Sequence, residues 1–213
     1  LELILRALEI GKNDEVILPT NTFIATALAV TRCGATPVFV DNDEFYLIDT
    51  KEVEKKITRK TKAIIAVNLY GQLANLKELN KIAKANSLKL IEDSAHALGS
   101  SYKSQKCGSL GDLSVISFTP HKIITMGQGG MVLTDNLETY EKLIKLKTFN
   151  RAKDKSDWHE GFGLNFKITD LQSALGLSQL SRLDSLIQKK KNIFQYFYEN
   201  LERVEMINFK EYE

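Results

Sequence analysis

No run of apolar residues in this sequence approaches the length of a membrane-spanning helix, and charge of neither sign dominates it, with 29 Lys and Arg against 27 Asp and Glu. A net charge of +2 gives no general attraction to a polyanion, so a nucleic-acid binder is excluded as readily as a membrane protein. Cysteine is scarce. Cys33 and Cys107 are the two present, and they have neither metal-ligand nor redox spacing. Both thiols are expected to be buried and structural, in a reducing, cytoplasmic setting. There is no internal repeat and no low-complexity segment. The sequence opens without Met, charged n-region or small-residue cleavage site, inside what reads as a helix. It closes soon after another helix, and so reads as a fragment cut at both ends.

Short apolar runs alternate with amphipathic helical stretches. Residues 15–19, 36–40, 63–67, 89–92, 115–118 and 131–134 read as strands, and 22–32, 51–56 and 76–86 as crossover helices. That alternation predicts an α/β protein, a three-layer α/β/α domain on a mainly parallel sheet. The connection through Gly127 to Gly130 is too short for a helix, so the strand from Met131 should run antiparallel and make the sheet mixed. From Thr169 one long helical pattern runs to Leu201, with Lys189 to Lys191 expected to cross solvent between domains. The expected division is a large domain over 1–180, followed by a linker helix and the start of a small C-terminal domain over 181–213, most of which is missing.

Residues 117–130 organise the chain: Ser117-Phe118-Thr119-Pro120-His121-Lys122 leave an apolar strand, and a glycine-rich reversal follows. Pro120 cannot continue a central ladder, so Lys122 is expected on a loop beyond the strand. A half-desolvated lysine there favours the neutral amine, a nucleophile toward an aldehyde or ketone. Open α/β sheets bind ligands beyond the carboxyl ends of their strands. Residues arriving at that rim include Phe23, Asp93, Ala95, His96 and Ser117. Asp93 emerges from a buried strand and needs a cationic partner, such as a protonated pyridine nitrogen, although it could equally cap a helical turn. Phe23 could stack on a ring or pack in the core, His96 could bind an oxygen or be a satisfied half-buried histidine, and Ser117 could serve a phosphate or simply the strand.

In order, Gly11-Lys12-Asn13-Asp14-Glu15, Leu69-Tyr70-Gly71-Gln72, Ile91-Glu92-Asp93-Ser94-Ala95-His96, Gly108-Ser109-Leu110-Gly111-Asp112, the Lys122 loop, Gly163-Leu164-Asn165-Phe166-Lys167 and Gln172-Ser173-Ala174-Leu175-Gly176 resemble the DegT/StrS nucleotide-sugar aminotransferases. These are pyridoxal-phosphate (PLP) enzymes of fold type I, and the resemblance covers almost the whole chain. It implies a Schiff base on Lys122, Asp93 on the pyridine nitrogen, His96 on the phenolic oxygen and Ser117 on the phosphate. Phe23 and Ala95 would sandwich the ring, and Asn165 would reach the phosphate of a neighbouring subunit in a homodimer with shared sites. The implied substrates are an amino acid, by resemblance L-glutamate, and a nucleotide-linked keto sugar, with segments 123–130 and 163–167 most similar to perosamine-synthase-type members acting on GDP-4-keto-6-deoxy sugars. A sugar 3-dehydratase of the same fold would carry histidine in place of the Schiff-base lysine, and a non-catalytic regulatory homologue would lack one of Asp93, Ser117 or Lys122. The family's Gly/Ser-Thr phosphate segment is expected upstream of Leu1.

Overall fold

The computed structural model describes residues 1–152 and 157–201. Its strands are β1 (Glu15–Pro19), β2 (Thr36–Val40), β3 (Thr61–Val67), β4 (Lys89–Asp93), the short pair β5 (Ser101–Tyr102) and β6 (Gln105–Lys106), β7 (Leu113–Ser117) and β8 (Gly130–Thr134). All but β5 and β6 form a central six-stranded sheet in the order β2-β1-β3-β4-β7-β8. All neighbours pair in parallel except β7 and β8, which are antiparallel as the short glycine-rich connection requires. The sheet is therefore mixed and mainly parallel.

Side chains alternate across it with the period of two that strand geometry imposes. Val16, Leu18, Ala63, Ile65 and Ile91 pack into one core with α1 (Glu2–Ala7), α2 (Ile24–Arg32) and α5 (Leu137–Lys147). Ile17, Ile64, Ala66 and Leu90 pack into the other with α3 (Thr50–Lys56) and α4 (Leu76–Ala85). The inner strands β1, β3 and β4 thus bury apolar residues on both faces, which is why their runs read as continuous rather than alternating.

Several boundaries differ from expectation. The strand expected at 115–118 begins at Leu113 and stops at Ser117. Phe118 leaves the ladder because its N–H bonds Gly129 O at 2.9 Å, while its carbonyl accepts from Met126 N at 2.9 Å and Thr125 Oγ1 at 3.2 Å. The long helix expected from Thr169 is two helices, α6 (Asp170–Leu180) and α7 (Leu183–Asn200). No proline or glycine marks the break. Ser181 Oγ donates to Ser178 O at 2.9 Å and Ser185 Oγ to Arg182 O at 2.8 Å, so hydroxyls compete for backbone carbonyls at the joint. The apolar periodicity runs through unchanged and conceals it.

Elements not expected from the sequence include α5, capped by Asn136 through Thr139 N at 2.8 Å, and the small antiparallel hairpin of β5 (Ser101–Tyr102) and β6 (Gln105–Lys106). Lys189 to Lys191 on α7 are exposed, whereas Leu183 and Leu186 pack against a small core under the Lys122 loop. Residues 202–213, assigned above to the start of a second domain, lie outside the described residues. Cys107 is buried and Cys33 only half buried, and both are free.

Candidate active site

The loop from β7 to β8 holds Lys122 by burying what flanks it. Phe118, Ile124 and Met126 are all nearly inaccessible and form a core of their own with Ile116. Ile124 and Met126 bracket the loop from below, and Lys122 N bonds Thr119 O at 3.1 Å, so the chain between them bulges upward. Gly127 then turns the chain with φ +74°, a left-handed conformation that side chains resist, and its N–H is taken by Thr125 Oγ1 at 3.0 Å. The Lys122 amine is half buried at the wall of a cavity of about 470 Å³. Burial lowers its pKa below 10.5, and the negative charge of Asp93 opposes that shift in part. His121, exposed beside it, does not line the cavity.

Asp93 closes β4, which pairs with β7 in the register Asp93 to Val115. Asp93 is 7% exposed. Oδ1 accepts the Ala95 N–H at 3.2 Å, and Oδ2 accepts the Thr26 hydroxyl at 2.9 Å. The Ala95 contact is the capping role allowed above, and it leaves the cavity side of the carboxylate free for a cation. The helical turn and the cavity are both served by one side chain.

The preceding residue, Glu92, faces the opposite side and is fully buried. Its Oε1 accepts from Leu110 N at 2.6 Å and Gly111 N at 2.7 Å, and its Oε2 from Gly108 N at 3.0 Å and Asn68 Nδ2 at 3.2 Å. A buried carboxylate is tolerable only with such a set of donors. Gly108, at φ +87°, permits the backbone to present its N–H, and a Cβ there would lie 2.9 Å from Ser114 Oγ. Asn68 also donates to Ser94 Oγ at 3.0 Å and accepts from Ala74 N at 3.0 Å. Asp93 is consequently flanked by two residues, Glu92 and Ser94, that are locked in place.

Phe23, Asp93, Ala95, His96, Ser117 and Lys122 all line the same cavity. Phe23 is the N-cap of α2 and is 71% exposed, so it is not core packing. The outer edge of His96 is in solvent, yet burial of its inner edge and the nearby Lys122 charge push its pKa below 6.5, against the pull of Asp93. Ser117 Oγ lies 3.3 Å from Thr119 Oγ1, a second hydroxyl lining the cavity. Asn165 is not among the lining residues of this cavity. It is exposed, makes an isolated bridge with Thr148, and borders a separate groove along β8.

Thr22, Thr26, Thr119, Glu92 and Asn68 were not picked out from the sequence. Thr26 and Glu92 were hidden because a polar residue inside an apolar periodic stretch shows nothing of its partner, which in each case lies far along the chain. Among the described residues no cluster of His, Cys, Asp and Glu could hold a metal ion, and no helix is long and apolar enough to cross a membrane.

An amine and a carboxylate delivered to one cavity by adjacent strands, with an imidazole and two hydroxyls, match a sequence family over almost the entire chain: the model of the DegT/DnrJ/EryC1/StrS aminotransferase family matches residues 1–212. The chain belongs to that family. It is 41% identical over 202 residues to GDP-perosamine synthase of Escherichia coli O157:H7, an alignment covering 94% of this chain and 56% of the relative. To the dTDP-3-amino-3,6-dideoxy-alpha-D-galactopyranose transaminase of Aneurinibacillus thermoaerophilus it is 42% identical over 203 residues, covering 94% and 55%. The solved PLP form of Spr1654 from Streptococcus pneumoniae superposes with a TM-score of 0.86 at 34% identity, covering 93% of this chain and 56% of that one. The DegT-family chain thus spans about half the length of the relatives it matches. Its mixed sheet with helices on both faces is the fold that those superpositions share.

Proposed function

We propose that the intact protein is a PLP-dependent aminotransferase that moves an amino group from an amino acid, L-glutamate, to the keto carbon of a nucleotide-linked sugar, in the synthesis of an amino-deoxysugar for a polysaccharide. The observation that carries this reading is the convergence of Lys122 and Asp93 on one cavity from the ends of β7 and β4. The donor set fits the cofactor group by group. Lys122 would hold its aldehyde end, Asp93 its ring nitrogen, His96 its phenolic oxygen and Ser117 its phosphate, with Phe23 and Ala95 on the two ring faces. Asn165, outside this cavity, would serve the phosphate bound to a second copy of the chain in a homodimer.

When bound, PLP supplies an electron sink for the carbon that loses its proton. The protein's part is to place and protonate. Lys122 Nζ, biased toward the neutral form by burial, can take a proton from the substrate carbon and return it one position away. Asp93, nearly sealed from solvent, would lie opposite the ring nitrogen and pair with it. His96, with its lowered pKa, is neutral at pH 7 and can donate one N–H to an oxygen without adding charge. Lys122, and not His121, faces the cavity, which favours amino transfer over dehydration.

The 41% identity to a protein named GDP-perosamine synthase supports a GDP-linked 4-keto-6-deoxy sugar as the acceptor. Two free cysteines accord with a cytoplasmic setting. The test is to incubate the intact protein with PLP, L-glutamate and GDP-4-keto-6-deoxymannose and to follow the sugar by mass spectrometry. The expected product has exchanged its carbonyl oxygen for an amino group, with 2-oxoglutarate formed in equal amount. If no keto sugar of the GDP, dTDP or UDP series is aminated by protein shown to carry PLP, the reading is wrong.

A further inference from the structure

We infer that Thr26, with Thr22 behind it, is a positioning residue that fixes the place and plane of the Asp93 carboxylate toward the ring nitrogen it would bind. This rests on the cofactor reading above and deepens it. Thr26 lies on α2 one turn beyond Phe23 and is 1% exposed. Its Oγ1 donates to Asp93 Oδ2 at 2.9 Å, joining α2 to the end of β4.

A threonine hydroxyl in a helix usually turns back on a carbonyl of its own helix, as Thr31 does here with Leu28 O at 3.1 Å. Thr26 points to Asp93 instead. A hydroxyl has one proton to give. Since that of Thr26 goes to Asp93, the 2.8 Å contact between Thr22 Oγ1 and Thr26 Oγ1 is made with the proton of Thr22. The result is an ordered chain, Thr22 to Thr26 to Asp93, in which each bond polarises the next. Thr22, Thr26 and Asp93 all border the cavity, which is also lined by the charged or titratable side chains of Lys122, His96, Glu2 and Arg32 and by Leu1, whose buried amino terminus feels the Asp93 charge.

Asp93 therefore has a donor on each oxygen from a different element, Thr26 of α2 on Oδ2 and Ala95 of its own turn on Oδ1. Two such bonds fix both the position and the plane of a carboxylate. A pyridine nitrogen bound opposite would meet a carboxylate already set in one orientation. Without the Thr26 bond, Oδ2 would lose a buried donor and the carboxylate would be free to turn away from that nitrogen.

The experiment loads the intact protein with PLP carrying ¹⁵N in the pyridine ring and reads the nitrogen shift and the rate of cofactor loss on dialysis. Wild-type protein should show a protonated ring nitrogen. Thr26→Val, which keeps the shape and removes the hydroxyl, should move the shift toward that of neutral pyridine and weaken retention about 10-fold, the scale of one hydrogen bond to a charged group. Thr26→Ser should restore both readings. Thr22→Val should shift in the same direction by less, and it carries the test if Thr26→Val does not fold. If the ring of the first foldable variant in that order stays as protonated as wild type, with retention within about twofold, Thr26 is merely a satisfied core hydroxyl and the inference is overturned. A wild-type protein that does not bind PLP would overturn the cofactor reading and this inference with it.

Discussion

Lys122 and Asp93 reach one cavity from hydrogen-bonded parallel neighbours, with Asp93 opposite Val115 two residues before the end of β7. Adjacent parallel strands end side by side, so a residue just past each end meets the same space. The two charged groups are held over one sheet edge by elements from separate βα units.

Reduction of PLP-loaded protein with borohydride should leave the pyridoxyl group on Lys122. Peptide mapping is the check, and an adduct on any other lysine would remove Lys122 from the centre of the site. Burial of its amine predicts that free Lys122 is also modified by amine reagents at lower pH than the exposed lysines.

Asp93→Asn should still load PLP through Lys122 but lower turnover on the order of 10²-fold or more, because an amide cannot balance a pyridinium charge in a buried site. Single-turnover kinetics would separate this from weakened loading. Turnover near that of wild type would sink the pairing.

His96 provides a pH test on the apo protein. Its folded pKa lies below 6.5, so between that depressed value and 6.5 the unfolded chain binds more protons than the folded one. Stability must then rise with pH through that window. Urea midpoints measured from about pH 5 to about pH 7 should climb more steeply in wild type than in His96→Asn. The difference will be small, because the outer edge of the ring is in solvent. Equal slopes would show that the cavity does not disfavour the imidazolium.

Glu92→Leu should destabilise the fold by about 3 kcal/mol or more, since it strands the N–H groups of Gly108, Leu110 and Gly111 without an acceptor. Glu92→Gln, which keeps one acceptor oxygen, should cost less. Equilibrium urea denaturation measures both, and a loss below about 1 kcal/mol for the leucine variant would mean that water replaces the carboxylate.

Asn165 lies outside the Lys122 cavity of its own chain, and it is expected to act across a two-fold axis. Mixing inactive Asn165→Ala chains with inactive Lys122→Ala chains should restore partial activity, since each mixed dimer has one site with both residues intact. Mixed dimers verified by mass, yet no more active than their parents, would confine Asn165 to its own subunit or to no role.

How far the sequence could be read depended on the range of the interactions concerned. Strand positions were legible because the middle residues of β1, β3 and β4 are buried on both faces and form short apolar runs. Lys122 was legible because Pro120 and the glycines announce a loop after an apolar strand. The break at Ser181 was not, because it turns on hydroxyl contacts that leave the leucine spacing intact. β7 ends one residue earlier than expected because Phe118, a good strand former, bonds within its own loop. Thr26 and Asn68 owe their importance to partners 67 and 24 residues away, a separation that no local pattern encodes.

The plug of Ile124 and Met126 beneath the lysine loop also meets Leu183 and Leu186 at the start of α7. Close-packed side chains pass on displacement rather than absorb it. The start of α7 is therefore bolted to the floor of the loop that carries Lys122.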